Sequence, residues 1–210
     1  MADLSFIHKR KSCRKFKDEL IPKEDILKIL EAGTMAPSGK NEQNWHFVVI
    51  QDKNKLEEMA KAVELKVEEL CNKSSDEKAN ERFKKLIKYY TLFKNAPVAI
   101  AVYSGPYDNT GIQVLLAGNP PQEEIDRLNK PNPGLQNIGA AIENMLLAAT
   151  AMGYGGCWMT GPNFAANEMD QIIGFKKEGY DFTALVPMGI PAGDLMSPPR
   201  KPLEEVVTFL

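Results

Sequence analysis

Apolar residues recur along the chain at two spacings, one typical of helices and the other of strands. The helical spacing predicts four main helices: from Pro22 to Gly33, over residues 52–70, from Phe83 to a point before Pro97, and over residues 136–152. Shorter helices are predicted at residues 4–7, 122–128 and 168–173. The polar stretch 72–80 predicts a loop, and residues 104–134 are the least regular part, of the kind that often forms a lid or a site wall.

Continuous apolar runs predict buried strands. They cover residues 45–50, 97–103, 157–161 and 182–189. The tail 203–210 is also apolar and β-prone, which predicts that it is tied to a sheet, because a free terminus normally frays. Without an internal repeat or a linker, the 210 residues predict a single domain, 1–210, of mixed α and β structure.

Composition narrows the classes of partner. Apolar residues make up 43% and charged residues 26%, and the net charge of −2 argues against a nucleic-acid binder, which needs a basic surplus. The most apolar helix, near residues 140–152, is interrupted by Glu143 and Asn144, so no membrane span is expected. The first 12 residues lack the apolar core of a signal peptide. Three separated cysteines and two histidines spell neither a zinc nor an iron–sulfur site, and they fit a reducing, cytoplasmic location.

Three polar clusters are candidates for binding a small anion. In the cluster 10–14, Arg10 and Arg14 stand four apart, which would place them on one face of a helical turn, with the hydroxyl of Ser12 between them. Guanidinium forks and a hydroxyl suit a phosphate. The alternative for this cluster alone is a solvated basic terminus. A donor-rich loop at residues 36–45 and a basic turn at residues 199–202 favour the phosphate.

Other polar residues have structural interpretations. His46 lies in a predicted strand, so a core or surface histidine is a better interpretation than a catalytic one. Glu143 and Asn144 could form a buried hydrogen-bonded contact between helices, or could reach polar partners. Cys157, Trp158 and Met159 are interpreted as core.

The order of these motifs resembles the FMN-dependent nitroreductase family, whose members are NAD(P)H:FMN oxidoreductase-like. The resemblance covers nearly the whole chain and is carried by Arg10-x-Ser12-x-Arg14, Ala36-Pro37-Ser38-x-x-Asn41-x-Gln43-x-Trp45, the helix 139–149, Gly153–Trp158, Pro187-Met188-Gly189 and the closing segment 200–206. The chain departs from the family pattern at Asn44, where many members carry Pro, and at Gly39-Lys40. Residues 104–134 do not match residue by residue.

The resemblance implies a fold and a site. The fold would be α+β in three α/β/α layers, with a mostly antiparallel central sheet flanked by helices and a C-terminal strand exchanged in a homodimer. FMN would lie at the dimer interface. Arg10, Ser12, Arg200 and the backbone of Lys11 would hold its phosphate. Arg14 would contact the pyrimidine edge of the ring, and backbone N–H groups of Thr160 and Gly161 would contact the N5 edge. The other subunit would contribute Pro37, Ser38, Gly39 and Asn41.

The implied function is that of an oxidoreductase. NADH or NADPH would reduce FMN, and a small acceptor such as a nitroaromatic, a quinone or an enone would take the electrons in a ping-pong cycle. The flavin N5 would carry the chemistry, so no catalytic side chain is expected. Two alternatives remain open: a flavin-binding protein for storage or sensing, and an anion-binding module without flavin.

Overall fold

The computed structural model describes residues 3–210, and its centre is a four-stranded sheet. The strands are β1 Trp45–Ile50, β2 Val98–Ser104, β3 Gly155–Gly156 and β4 Asp181–Gly189. Their order is β1-β2-β4-β3, and all three pairings are antiparallel. The predicted antiparallel central sheet is therefore confirmed.

Both faces of the sheet are covered, as the unbroken apolar run of β2 predicts. Side chains alternate along a strand, so Ile100 and Val102 enter the core on one face, while Ala101 and Tyr103 enter a second core on the other. The helices of the two cores therefore lie in separate layers, with the sheet between them. The result is the expected α+β fold with three layers.

Nine helices surround the sheet in the part of the chain that the structure describes. They are α1 Ser5–Lys9, α2 Lys23–Thr34, α3 Lys53–Asn72, α4 Glu77–Lys85, α5 Ile87–Tyr90, α6 Thr110–Leu116, α7 Gln122–Asn129, α8 Pro133–Ala151 and α9 Ala166–Ile173. Helices α2 and α8 pack on one face, and α3 and α9 on the other. Short 3-10 turns occur at Gly39–Asn41, Leu92–Asn95, Gly161–Ala165 and Leu203–Glu205.

Helix α8 contributes many of the side chains in the core that contains Ile100 and Val102. It packs closely against α2 at Gly33, where an added Cβ would lie only 2.7 Å from the Cγ of Met145. At the same contact Asn144 donates its side-chain amide to the carbonyl of Ala32, 3.2 Å away. The predicted helix–helix hydrogen bond is therefore present for Asn144.

Three parts of the secondary structure differ from the prediction. Residues 157–161 are not a strand: the ladder with β4 is formed by Gly155 and Gly156, and Met159 makes only an isolated bridge to Leu185 before a 3-10 turn begins at Gly161. The predicted loop 72–80 is shortened, because Asp76 caps the start of α4. Helix α6 was not predicted; Asn109 caps it by accepting from the N–H of Ile112.

The tail does not join the sheet of its own chain. Beyond the turn at Leu203–Glu205 it has no regular structure, and Phe209 is 93% exposed. Exchange of this segment with a partner subunit stays a prediction.

Among residues 3–210, no helix combines the length and apolar character needed to cross a membrane. The same residues contain no group of three or more histidine, cysteine or acidic side chains placed to hold a metal ion.

Candidate functional site

The basic segment 10–14 is extended, so the predicted helical turn is wrong. Helix α1 ends at Lys9, and Arg10 already has extended backbone angles. The segment then runs beside β3: Ser12 forms a parallel bridge with Gly156, and the N–H of Cys13 donates to the carbonyl of Gly156 at 2.9 Å. Residues two apart on an extended chain project to the same side, so the alternation buries Cys13 and directs Ser12 and Arg14 outward.

Two of the predicted phosphate-binding residues are anchored within the chain. The Nε of Arg10 lies 3.2 Å from a carboxylate oxygen of Glu143 on α8, and the Arg10 side chain is mostly buried. The Nζ of Lys11 donates to the carbonyl of Leu195 at 2.9 Å. The Lys11 ammonium thus binds the segment that follows β4, so only the backbone of Lys11 is available to contact a ligand.

Two clefts meet at Arg14. The first, of about 380 Å³, is lined by Ser12, Arg14, Lys15 and residues 192–196, with Asp194 as its acidic member. The second, of about 400 Å³, is lined by Arg14, Tyr89, Tyr90, Leu92, Cys157, Trp158, Met159, Thr160 and Gly161. Arg14 is a wall of both clefts. The structure therefore places Ser12 beside Arg14 in one cleft, and Thr160 and Gly161 beside Arg14 in the other.

Free backbone donors line the second cleft. Met159 pairs with Leu185 in both directions, but the amides of Thr160 and Gly161 donate to no other group of the described chain. Both residues are exposed in the cleft. A Cβ at Gly161 would lie 2.8 Å from the Tyr90 ring, so only glycine leaves the ring in place. The cleft thus offers unpaired N–H groups beside two tyrosines.

The two cysteines beside these clefts are neutral thiols. Burial raises the pKa of Cys157 and also that of Cys13. In both cases the burial outweighs the opposing effect of the nearby Arg14 guanidinium. The thiols therefore act as small buried side chains, as the sequence indicated for Cys157.

The loop 37–43 lies elsewhere. The N–H of Gly39 donates to the side chain of Asn137, near the start of α8, and the hydroxyl of Ser38 accepts from the N–H of Gln43 at 3.1 Å. Pro37, Gly39 and Asn41 are exposed. None of the four predicted loop residues lines either Arg14 cleft of this chain. Arg200 is likewise exposed and outside both clefts.

A third cleft lies on the other side of Trp158. It measures about 590 Å³ and shares Trp158 and Thr160 with the second cleft. Its other polar walls include Asn132, Asn163 and Thr183. Asn163 donates to the carbonyl of Thr183 at 2.5 Å, while its own carbonyl oxygen is buried and accepts no hydrogen bond from the described chain.

Several lining residues were missed from sequence. Tyr89 and Tyr90 lie on the short helix α5, where their spacing indicated only a helix. Trp158 was assigned to the core, but it is 42% exposed between two clefts. His46 stacks on Phe175 with 4.4 Å between ring centroids, and burial lowers its pKa, so the structural interpretation of His46 agrees with its surroundings.

One family model and several known proteins resemble this chain. The sequence model of the Nitroreductase family matches residues 7–190. A BluB-like flavoprotein from Clostridium difficile 630 is 41% identical, with a TM-score of 0.93 over 100% of this chain and 99% of that one. A nitroreductase with bound FMN from Desulfitobacterium hafniense DCB-2 is 26% identical, with a TM-score of 0.73 over the full length of both chains. A putative NADH dehydrogenase/NAD(P)H nitroreductase from Archaeoglobus fulgidus is 30% identical over 74% of this chain and 66% of its own.

These similarities agree with the antiparallel sheet and with the order of motifs along the chain. The family match runs from residue 7, within α1, to residue 190, just after β4, so it includes Ser12, Arg14 and the whole Thr160 cleft. The chain belongs to the nitroreductase family.

Proposed function

We propose that the protein is an FMN-dependent oxidoreductase that uses NADH or NADPH to reduce small acceptors, such as nitroaromatics, quinones or enones, in a ping-pong cycle. Family membership and the bound FMN of the Desulfitobacterium hafniense nitroreductase support the cofactor. The name of the Archaeoglobus fulgidus relative supports the reductant.

The observation that carries this proposal is the pair of clefts that share Arg14. A planar ring with a phosphate tail needs a flat cleft with polar edges and a cationic cleft beside it. The Thr160 cleft offers the first, with tyrosines and unpaired N–H groups, and the Ser12 cleft offers the second. The donor set therefore fits FMN.

Within this site, each residue would have a distinct role. Arg10, Ser12 and Arg200 would bind the phosphate, together with the backbone of Lys11. Arg14 would place a fixed positive charge beside the pyrimidine edge, where negative charge develops on reduction. The amides of Thr160 and Gly161 would orient the N5 edge. FMN, when bound, would supply the hydride chemistry, and no protein nucleophile is required.

A second subunit would complete the site. Residues 1–210 would form one domain per subunit, and two subunits would form a homodimer. Pro37, Ser38, Gly39 and Asn41 would then face the partner's flavin. This accounts for the exposure of Pro37, Gly39 and Asn41, and for the separation of all four from the Arg14 clefts of their own chain. The exposed apolar tail residues Val206, Phe209 and Leu210 would be covered by the partner.

The proposal is tested on the purified protein. We expect a yellow protein that releases FMN on denaturation, loses its colour when NADH or NADPH is added without oxygen, and regains it when a quinone is added. Protein that stays colourless after incubation with FMN would contradict the cofactor. Protein that binds FMN but is bleached by neither nucleotide would instead be a flavin-binding protein without turnover.

A further inference from the structure

One buried side chain, Asn44, holds both ends of the irregular segment 105–134. Asn44 is 3% exposed. Its amide nitrogen donates to the carbonyl of Gly105 at 3.2 Å and to the carbonyl of Gly134 at 3.3 Å. Its backbone carbonyl also accepts from the N–H of Gly105 at 2.6 Å. The segment therefore leaves the core and returns to it at the same residue.

The same network reaches the loop 38–43. The amide of Asn137 on α8 donates to the side-chain oxygen of Asn44 at 2.9 Å, and the Asn137 oxygen accepts from the N–H of Gly39 at 3.2 Å. Asn137 is 7% exposed, so this amide pair is buried. Buried amides that lose a partner are costly, which makes the network a rigid connection.

Lys40 makes a second connection at the surface. Its ammonium donates to the carbonyl of Asp108 at 2.7 Å, to the carboxylate of Asp108 at 2.9 Å and to the hydroxyl of Thr110 at 2.8 Å. In return, the carboxylate of Glu42 accepts from the N–H of Asp108. The Asp108 interaction raises the pKa of Lys40, so the ammonium stays charged. All three ammonium protons thus point at the 105–134 segment.

The backbone of the loop 38–43 is strained, and the contacts to the 105–134 segment stabilise it in this conformation. Lys40, Asn41 and Gln43 have φ values of 55°, 56° and 47°, in the left-handed region that side chains normally avoid. Tyr107 fills the space that side chains at Gly39 and Gly134 would occupy. A Cβ added at Gly39 would overlap the Tyr107 hydroxyl, and one added at Gly134 would lie 2.9 Å from the Tyr107 Cβ. The loop conformation and the position of the segment therefore depend on each other.

We propose that Asn44 and Lys40 are positioning residues that make the loop 38–43 and the segment 105–134 move as one unit. This inference rests on the proposed function only in assigning the loop to the cofactor site. FMN binding at the loop would then order the segment, and a ligand held by the segment would tighten FMN, because coupling between two sites is reciprocal. Both residues lie where the chain departs from the family pattern.

Hydrogen–deuterium exchange, followed peptide by peptide on the full-length protein, tests the coupling. Lys40→Met removes the three ammonium contacts of the surface connection and leaves the contact between Glu42 and Asp108. Asn44→Asp keeps the acceptor for Asn137 but removes both donations to the segment. We expect exchange to rise together in peptides 38–43 and 105–134, roughly threefold for Lys40→Met and tenfold or more for Asn44→Asp. Lys40→Arg should restore slow exchange. Lys53→Met, which removes an exposed ion pair with Asp18, is the matched control and should change neither peptide.

Ligand titrations complete the test. FMN should slow exchange in peptides 105–134 of the wild type but much less in Lys40→Met, and the variant should show a raised Kd for FMN and a raised KM for the acceptor with kcat retained. Faster exchange in only one of the two peptides overturns the proposal. Because the exchange measurement on protein without added cofactor does not need FMN, a protein that binds no flavin would defeat the proposed function while still deciding whether the two segments are coupled.

Discussion

Arg10 and Glu143 form an ion pair, 3.2 Å between nitrogen and oxygen, that fixes the basic N-terminal segment to the middle of α8. The pair uses the Nε atom of Arg10 and leaves the two terminal nitrogens of the guanidinium for other acceptors. A carboxylate that holds the fork in one orientation also reduces the entropy lost when the fork binds an anion. Arg10 is thus oriented before any ligand arrives.

Replacing Arg10 or Arg200 by alanine should weaken FMN binding. Each change removes a charge-assisted contact to the phosphate, at a cost of about 1.5–3 kcal/mol in binding free energy. Flavin absorbance after dialysis against graded FMN measures the effect. Lys9→Ala and Lys201→Ala, the exposed neighbours, remove the same charge and are the controls. Occupancy equal to wild type in the Arg10→Ala and Arg200→Ala variants would contradict the phosphate assignment.

Gly161→Ala should close the second cleft. The new methyl group would lie 2.8 Å from the Tyr90 ring, which forms a wall of the cleft proposed for the flavin and must therefore move. We expect weaker flavin binding and an altered flavin absorption spectrum, with a thermal unfolding temperature close to wild type. Gly118→Ala, where the nearest atom is 3.5 Å away, is the matched control. An unchanged spectrum in Gly161→Ala would place the ring elsewhere.

Deleting residues 203–210 should disrupt the dimer and the cofactor site together. The tail exposes Phe209 and Leu210 and pairs with no strand of its own chain, so a partner subunit is the expected acceptor. Sedimentation with absorbance read at the flavin band should show monomers or aggregates that are poor in FMN. A stable dimer with full FMN would rule out the exchange, and a monomer with full FMN would rule out the shared site.

Tyr154→Phe should reduce stability in a manner that depends on pH. The hydroxyl of Tyr154 donates to Asp25 at 2.7 Å, and this bond, followed by that from Lys28, lowers the pKa of Asp25. A lowered folded pKa adds stability above the unfolded value, and the addition is lost as the pH falls through the folded value. The difference in unfolding free energy between variant and wild type should therefore be largest at neutral pH and shrink below about pH 4.

Urea unfolding of the variant and the wild type, at neutral pH and below about pH 4, measures this difference in unfolding free energy. Tyr89→Phe, which removes an exposed hydroxyl, is the control and should show no such trend. A penalty for Tyr154→Phe that is the same at both pH values would mean that the phenol acts by packing and not through the Asp25 carboxylate.

Most elements could be predicted from the sequence because their signals are local. The run at residues 97–103 is apolar on both faces, and such a run needs a sheet covered on both sides wherever it lies. The spacing of Leu56, Met59 and Val63 likewise predicts one buried helical face. The order of polar motifs predicted the family. The assignment of Arg14, Thr160 and Gly161 to one cofactor site stays a prediction.

Other features of the site could not be predicted from local sequence, because contacts between residues far apart in the chain determine them. The segment 10–14 is extended because Cys13 pairs with Gly156, 143 positions further on, and no local spacing encodes that bond. The run from Cys157 to Gly161 is apolar enough for a strand, but the unpaired amides after Met159 form a cleft wall instead. In the sequence, Asn44 was distinguished only as a departure from the family pattern. Only the fold, by burying it between Gly105, Gly134 and Asn137, gives its amide partners that lie 61, 90 and 93 residues away.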